Sequence, residues 1–392
     1  GMRRCGKSFL LFELFTSYLK ESGVDSNHII VVDLEDYKNK ALRNPDNLYS
    51  YVESRIVDEG LYYILLDEVQ MLEEFVDVLN GFLKMRNTDV YVTGSNAKFL
   101  SKDIATEFRG RGFEIKMYPL SFKEYMSAYS GSVTTAFNEY MLYGGLPQIL
   151  MYETEQQKVK YLTSLFEETY IKDIKERYRV KKDGDLEELI NILASGIGAL
   201  SNPNKLANTF KSEKKSNISY DTIKDYIEYL CDSFLVEKVT RYDIKGRKYV
   251  NSPFNYYFMD LGLRNARLNF RQYEKSHLME NVIYNELRIR GFNVDVGVVP
   301  VVLKNEDSKQ QRANLEVDFV CNLGNQRYYI QSAYRMETEE KIQQERASLL
   351  KVDDSFKKIV IIGEETPFIR DENGIITMSI YDFLLKDNSL EL

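Results

Sequence analysis

The first eight residues, Gly1-Met2-Arg3-Arg4-Cys5-Gly6-Lys7-Ser8, constrain this chain more than any other stretch. Two glycines five positions apart, followed by Lys and Ser, make a phosphate-loop pattern. Glycines let such a loop turn back so that successive backbone N–H groups converge on phosphate oxygens. The lysine reaches the β- and γ-phosphates, and the hydroxyl ligates Mg²⁺. Phe9, Leu10, Leu11, Phe12, Leu14, Phe15, Tyr18 and Leu19 then predict a helix with a broad apolar face, its N-terminus aimed at the same phosphates. The nucleotide-binding set is therefore Gly1, Arg4, Cys5, Gly6, Lys7, Ser8 and Phe9, with Ser8 also on Mg²⁺. The competing reading is a glycine turn ahead of a core helix. A phosphate loop is fed by a strand, and none precedes Gly1, so part of the site's scaffold is expected to be absent from this sequence. Gly1-Met2 also reads as one added residue before an initiator Met; Gly1 meets the pattern in either case.

Residues 28–34 and 62–66 are apolar runs suited to buried parallel strands, and the second ends in Asp67-Glu68. This has the form of a Walker B segment. Asp67 would hold Mg²⁺ through water, and Glu68 would orient and polarise the attacking water. An acidic pair opening a solvated loop is the plainer alternative. Residues 89–93 predict a third strand running into Gly94-Ser95-Asn96, where Asn96 or Ser95 would sense the γ-phosphate; Gly-Ser-Asn is also plain turn chemistry. Residues 113–117 predict a further strand. Just before it, Arg111 would neutralise transition-state charge, within the chain or from a neighbour, or would pair with surface carboxylates. Strands alternating with helices make residues 1–150 an α/β domain whose strand ends gather the ligand.

A length of 392 residues suggests two or three domains, each able to bury its own core. Two histidines and three widely spaced cysteines argue against a histidine-rich metal site, a catalytic triad, and a disulfide or zinc framework. No apolar run approaches membrane-spanning length and no signal peptide precedes the first helix, which points to the cytoplasm and to no membrane partner. The net charge of −8 argues against nucleic-acid binding by the whole surface, though not against a local basic face.

Arg3-Arg4-Cys5-Gly6-Lys7-Ser8, Leu66-Asp67-Glu68-Val69-Gln70, Thr93-Gly94-Ser95-Asn96, Pro119-Leu120-Ser121-Phe122 and Tyr143-Gly144-Gly145-Leu146-Pro147 follow one another in this order. Together they resemble the prokaryotic AAA-type ATPases with a C-terminal domain of unknown function, the AAA_14/DUF4143 family, over essentially the whole chain. The resemblance implies an ATP-binding module of the AAA+-like P-loop class, with Glu68 as the catalytic carboxylate and ATP and Mg²⁺ as ligands. It also implies that members carry an extra N-terminal segment ending in the strand before the loop. That strand lies centrally in such sheets, so its loss is expected to expose strand edges.

The middle, residues 151–265, reads as helical. Helices are predicted over 161–175, 186–200, 204–210 and 221–230, the last capped by Ser219. Residues 235–242 and 248–250 flank Ile244-Lys245-Gly246-Arg247 as a hairpin, and helices followed by a hairpin are the layout of a winged helix, which the resemblance supports. The wing is basic, with Arg241, Lys245, Arg247 and Lys248. The outward side of the last helix shows Asp221, Lys224, Asp225 and Glu228, which would repel phosphates, so protein docking or self-association is favoured over DNA.

Residues 266–392 predict a helix over 278–287 and strands over 294–303, 315–321, 327–331 and 358–362. This order resembles the PD-(D/E)xK nuclease core, whose chemistry needs a helix carboxylate (Glu280), a strand-end Asp (Asp318) and a Glu-x-Lys on the next strand. That strand reads Gln331-Ser332-Ala333, so a neutral amide stands where a metal-binding carboxylate is needed and no lysine follows. A degenerate, nuclease-like docking domain is expected, without catalysis. The leading expectation is a three-part P-loop ATPase. The alternative is a non-hydrolysing interaction protein with a disabled ATP site, and a nuclease using Glu280 and Asp318 comes third.

Overall fold

The computed structural model describes residues 1–94, 108, 110–213, 218–304 and 310–392, so Ser95, Asn96 and Arg109 lie outside the described residues. Contacts gather the chain into two units, Gly1–Tyr118 with Asp232–Phe234, and Pro119–Cys231 with Leu235–Leu392.

In the first unit the three apolar runs form β1 (Ile29–Asp33), β2 (Tyr62–Asp67) and β3 (Thr88–Val92), hydrogen-bonded in that order and all parallel. Parallel strands need crossovers, and the helices Pro45–Arg55 and Phe75–Phe82 supply them. The Asn44 side chain caps the first of these by accepting the Asn47 N–H at 3.2 Å, with Pro45 in the first turn, where its missing N–H costs nothing. Ile30, Val32, Ile64 and Leu66 pack with Leu48, Val52, Val78, Leu79 and Phe82 into one core. Each such side chain contributes roughly 1.5–3 kcal/mol on burial.

The helix after the glycine loop runs in three segments: Lys7–Phe9, a π-helical stretch Leu10–Phe15, and Thr16–Glu21. The ring of Phe15 lies 6.5 Å from that of Tyr63 and 4.5 Å from that of Tyr91, which lays the helix on the sheet. From its C-terminus a short link through the 3₁₀ turn Ser26–His28 enters β1. Fifteen helical residues span about 22 Å and a strand of this length about 17–20 Å, so the helix N-terminus returns to the carboxyl ends of the strands. The expected broad apolar face is only partly covered. Leu11 and Leu19 are buried, whereas Phe9, Leu14 and Tyr18 are more than half exposed, since one sheet covers one stripe of a helix.

Residues 113–117 do not form the expected strand, and Phe113 and Ile115 are 91% and 71% exposed. Their alternation suits a strand, but a strand needs a neighbour for its N–H and C=O groups, and β3 pairs only with β2 among the described residues.

The second unit opens with helices and closes with a mixed sheet. Its strands β4 (Val236–Asp243), β5 (Lys248–Phe258), β6 (Asn293–Lys304), β7 (Gln310–Leu323), β8 (Gln326–Ala333), β9 (Lys357–Ile362), β10 (Ile369–Arg370) and β11 (Ile375–Ser379) lie in the order β10-β11-β9-β8-β7-β6-β4-β5. The β4–β5 hairpin does not stand apart as a wing, because β4 pairs in parallel with β6 and extends the sheet. The chain is thus α/β: a P-loop NTPase-type parallel sheet, a helical region, and a mixed α/β sheet.

Two of the motif stretches meet in this unit. Ser121 and Glu124 form a capping box at the start of Phe122–Ala128. Leu120 N–H donates to the Gly145 carbonyl at 2.8 Å, and the Tyr140 hydroxyl donates to the Leu120 carbonyl at 2.7 Å. Asp260 caps the helix Leu261–Arg267 by accepting the Leu263 N–H at 3.0 Å, and its other oxygen accepts the Gly145 N–H at 2.8 Å. Gly144 sits at φ 77, and a Cβ there would come within 2.4 Å of the Asp260 carboxylate, while a Cβ on Gly145 would lie 2.5 Å from the Leu120 carbonyl, which explains the paired glycines. Next to it the fully buried Arg264 donates to the carbonyls of Ala194 and Gln272, while Asn265 donates to those of Met141 and Leu142.

Burial pushes the Asp260 carboxyl up to about 6, against the pull of the N–H groups it accepts. A raised carboxyl binds its proton more readily in the folded state, so this stabilisation is full below about pH 4 and is lost as pH rises through about 6. Measured by urea unfolding, the wild type is predicted to lose stability relative to Asp260→Asn between pH 4.5 and pH 7. A difference between the two proteins that stays constant with pH would contradict this.

Candidate nucleotide site and the C-terminal polar cluster

Gly6 ends the loop in the left-handed region, φ 97, and caps the helix that follows. That conformation costs other residues about 1–2 kcal/mol, so the glycine is required by the turn. Leu10 N–H closes the first helical turn on the Gly6 carbonyl at 2.8 Å, leaving the N–H groups ahead of it pointing out of the helix end, the arrangement that receives anions. Lys7 Nζ donates to the Met2 carbonyl at 2.9 Å, which folds the ammonium over its own loop. Ser8 and Arg4 are exposed, and Phe9 is on the open side of the helix. Cys5 is buried with its Sγ 3.0 Å from the Met2 carbonyl, and burial pushes its thiol up, which makes it a packing residue. A Cβ on Gly1 would lie 2.5 Å from the Met117 carbonyl, so residue 117 runs beside the start of the loop.

At the far end of β2, Asp67 is 3% exposed and receives the Thr93 hydroxyl. The same Thr93 Oγ accepts the Glu68 N–H at 3.3 Å, and the Thr93 carbonyl accepts the Val69 N–H at 3.1 Å. Thr93 therefore ties the acidic pair to the end of β3. It stood in the sequence as an ordinary strand residue, and nothing local marks a partner 26 positions away. Glu68 adopts φ 49, also left-handed, and Gln70 Nε2 donates to its Oε2. Of the other expected residues, Asn96 lies outside the described residues. Arg111 is exposed, and its N–H donates to the Phe108 carbonyl at 2.9 Å.

In the second unit the nuclease-like positions do come together. Asp318 on β7 is partly buried; its oxygens accept the Ser332 N–H at 2.7 Å and Gln331 Nε2 at 3.0 Å. Gln331 Nε2 also lies 3.3 Å from Glu345 on the helix Glu339–Leu350, and Lys341 pairs with Glu345 at 2.5 Å. Glu280 accepts the Tyr257 hydroxyl at 2.6 Å. Burial, then the charge of Glu280, holds the Asp318 carboxyl well above the ordinary range. Glu345 and Lys341 were missed because they approach from a helix after the strand that carries Gln331. Among the described residues no three His, Cys, Asp or Glu side chains are placed to share a metal ion. Arg241, expected on the basic wing, is instead buried against Glu316 at 3.5 Å, whereas Lys245, Arg247 and Lys248 are exposed. Gln331→Glu would set a third carboxylate between Asp318 and Glu345. We predict a loss of about 2–4 kcal/mol at pH 7 that shrinks at low pH, read from denaturant midpoints; an unchanged midpoint would contradict the bridging role of the amide.

A family model described as an AAA domain matches residues 1–126, and one for a domain of unknown function, DUF8612, matches residues 134–274. The latter differs from the DUF4143 domain that the resemblance implied. An uncharacterised protein of Haemophilus influenzae is 33% identical over 98% of this chain and 93% of its own length. An uncharacterised protein of Methanocaldococcus jannaschii is 28% identical over 93% of this chain and 81% of its own. Among solved structures, a Walker-type ATPase of Pyrococcus abyssi aligns with 68% of this chain and 89% of its own at 14% identity, with a TM-score of 0.46. That TM-score is low, and the fold assignment stands on the strand order and the loop. The chain belongs to the family of the Haemophilus influenzae protein, with an AAA domain, a nucleotide-binding ATPase-like module, over residues 1–126.

Proposed function

We propose that this chain binds ATP with Mg²⁺ at the Gly1–Ser8 loop and hydrolyses it, and that hydrolysis drives a conformational change in a protein assembly. The observation that carries the reading is the left-handed Gly6 cap, opening a helix at the level where β2 ends in Asp67 and Glu68. Backbone N–H groups of the loop and Lys7 would hold the phosphates. Ser8 and Asp67 would hold Mg²⁺, which supplies charge neutralisation on the phosphate oxygens. Glu68 polarises a water whose oxygen bonds to the γ-phosphorus as the bond to the bridging oxygen breaks, and the water's proton passes to the Glu68 carboxylate. ADP and phosphate leave. Asn96 is assigned to sensing the γ-phosphate and Arg111 to neutralising transition-state charge, within the chain or from a second copy.

Residues 151–265, helical and closed by the β4–β5 hairpin, and 266–392, with their nuclease-like layout, are assigned to docking a protein partner. Two features favour this over DNA. Asp221, Asp225 and Glu228 are exposed along the helix Tyr220–Asp232, and Arg241 is neutralised by Glu316. No helix among the described residues is long and apolar enough to cross a membrane.

The test is Glu68→Gln in the full chain. ATP binding is predicted to persist while phosphate release falls about 10²- to 10⁴-fold. Turnover unchanged in the variant would contradict the role of Glu68. ATP binding without turnover in the wild type would favour the interaction-protein alternative.

A further inference from the structure

Gln70 closes the segment Leu66–Gln70, and the chemistry proposed above does not use it. The short 3₁₀ turn Val69–Met71 folds the chain back so that Gln70 Nε2 donates to Glu68 Oε2. The reverse amide orientation would set oxygen against carboxylate, so the chemistry of the pair decides which end faces Glu68. Gln70 Oε1 is buried and has no hydrogen-bond partner among the described residues. An amide that leaves its oxygen unsatisfied while its nitrogen serves a carboxylate is oriented by that carboxylate. The backbone of Glu68 is fixed independently by its N–H on Thr93 Oγ, by Val69 N–H on the Thr93 carbonyl, and by its own left-handed conformation. Non-glycine residues hold that conformation only where their surroundings impose it. Backbone and side chain of Glu68 are thus held by different residues, Thr93 and Gln70.

We propose that Gln70 is a positioning residue for ATP hydrolysis, holding the Glu68 carboxylate through Oε2 in the orientation from which it polarises the attacking water. This rests on the role proposed for Glu68. A glutamate has three side-chain torsions, and a donor on one oxygen removes much of that freedom before substrate arrives.

The experiment compares the full-length wild type with Gln70→Ala, Gln70→Glu, Glu68→Gln and the double variant Glu68→Gln/Gln70→Ala. It measures kcat and KM for Mg·ATP. Gln70→Ala is expected to lower kcat about 10- to 100-fold and to leave KM within about twofold. Gln70→Glu places a second carboxylate against the first and is expected to lower kcat at least as far. In the Glu68→Gln background, Gln70→Ala should have no further effect, because the group it positions is already disabled. Gln70→Ala with the kcat of the wild type would overturn the proposal while leaving hydrolysis by Glu68 intact. An equal further loss in the double variant would overturn it in favour of a general structural role. Wild-type chain with no Lys7-dependent turnover would overturn the hydrolysis reading itself, and this role with it.

Discussion

The tie between β2 and β3 at their carboxyl ends is the contact on which the candidate site depends. Parallel strands place all their C-termini at one edge, and only there can loops from successive crossovers meet one ligand. Asp33 pairs in register with Asp67, and the Thr93 hydroxyl bridges from the end of β3 to Asp67 and to the Glu68 backbone. The acidic pair is thereby held as part of the sheet, on rigid backbone, with its first carboxylate buried. The helix that starts at Gly6 returns to this same edge because its length matches that of the strands. Under the proposed function, the positions for phosphate, metal and water would follow from this sheet geometry.

The second unit is organised differently. Its buried charges are spent on holding elements together. Asp260 joins the end of one helix to the start of another, Arg264 serves backbone carbonyls, and Gln331 stands between two carboxylates. A buried amide between acids satisfies their lone pairs without adding a charge, which a third carboxylate could do only with a cation. This is the physical content of the exchange from Glu to Gln on β8. It favours a region that packs and docks over one that cuts phosphodiesters.

What was legible in the sequence was local. The glycine loop, the apolar runs of β1, β2 and β3, and the hairpin at Gly246 each depend on neighbours within a few positions, and each appears in the fold at the expected place. What was not legible depends on partners far along the chain. Residues 113–117 alternate like a strand yet have no strand beside them among the described residues. Arg241 reads as a surface cation until Glu316 is found 75 positions away. Glu345 and Lys341 carry no motif of their own, nothing beside Thr93 marks its bonds to Asp67 and Glu68, and the paired glycines at 144 and 145 make sense only once Asp260 and the Leu120 carbonyl are in place.

The central claim is that the Gly1–Ser8 loop receives the phosphates of a nucleotide, and a titration of a fluorescent ATP analogue with Mg²⁺ into the full chain, against Lys7→Ala, tests it most directly. The account predicts saturable binding in the micromolar range that weakens at least about tenfold, or about 1.4 kcal/mol, when the ammonium is removed. Equal binding by both proteins, or none by either, would contradict it.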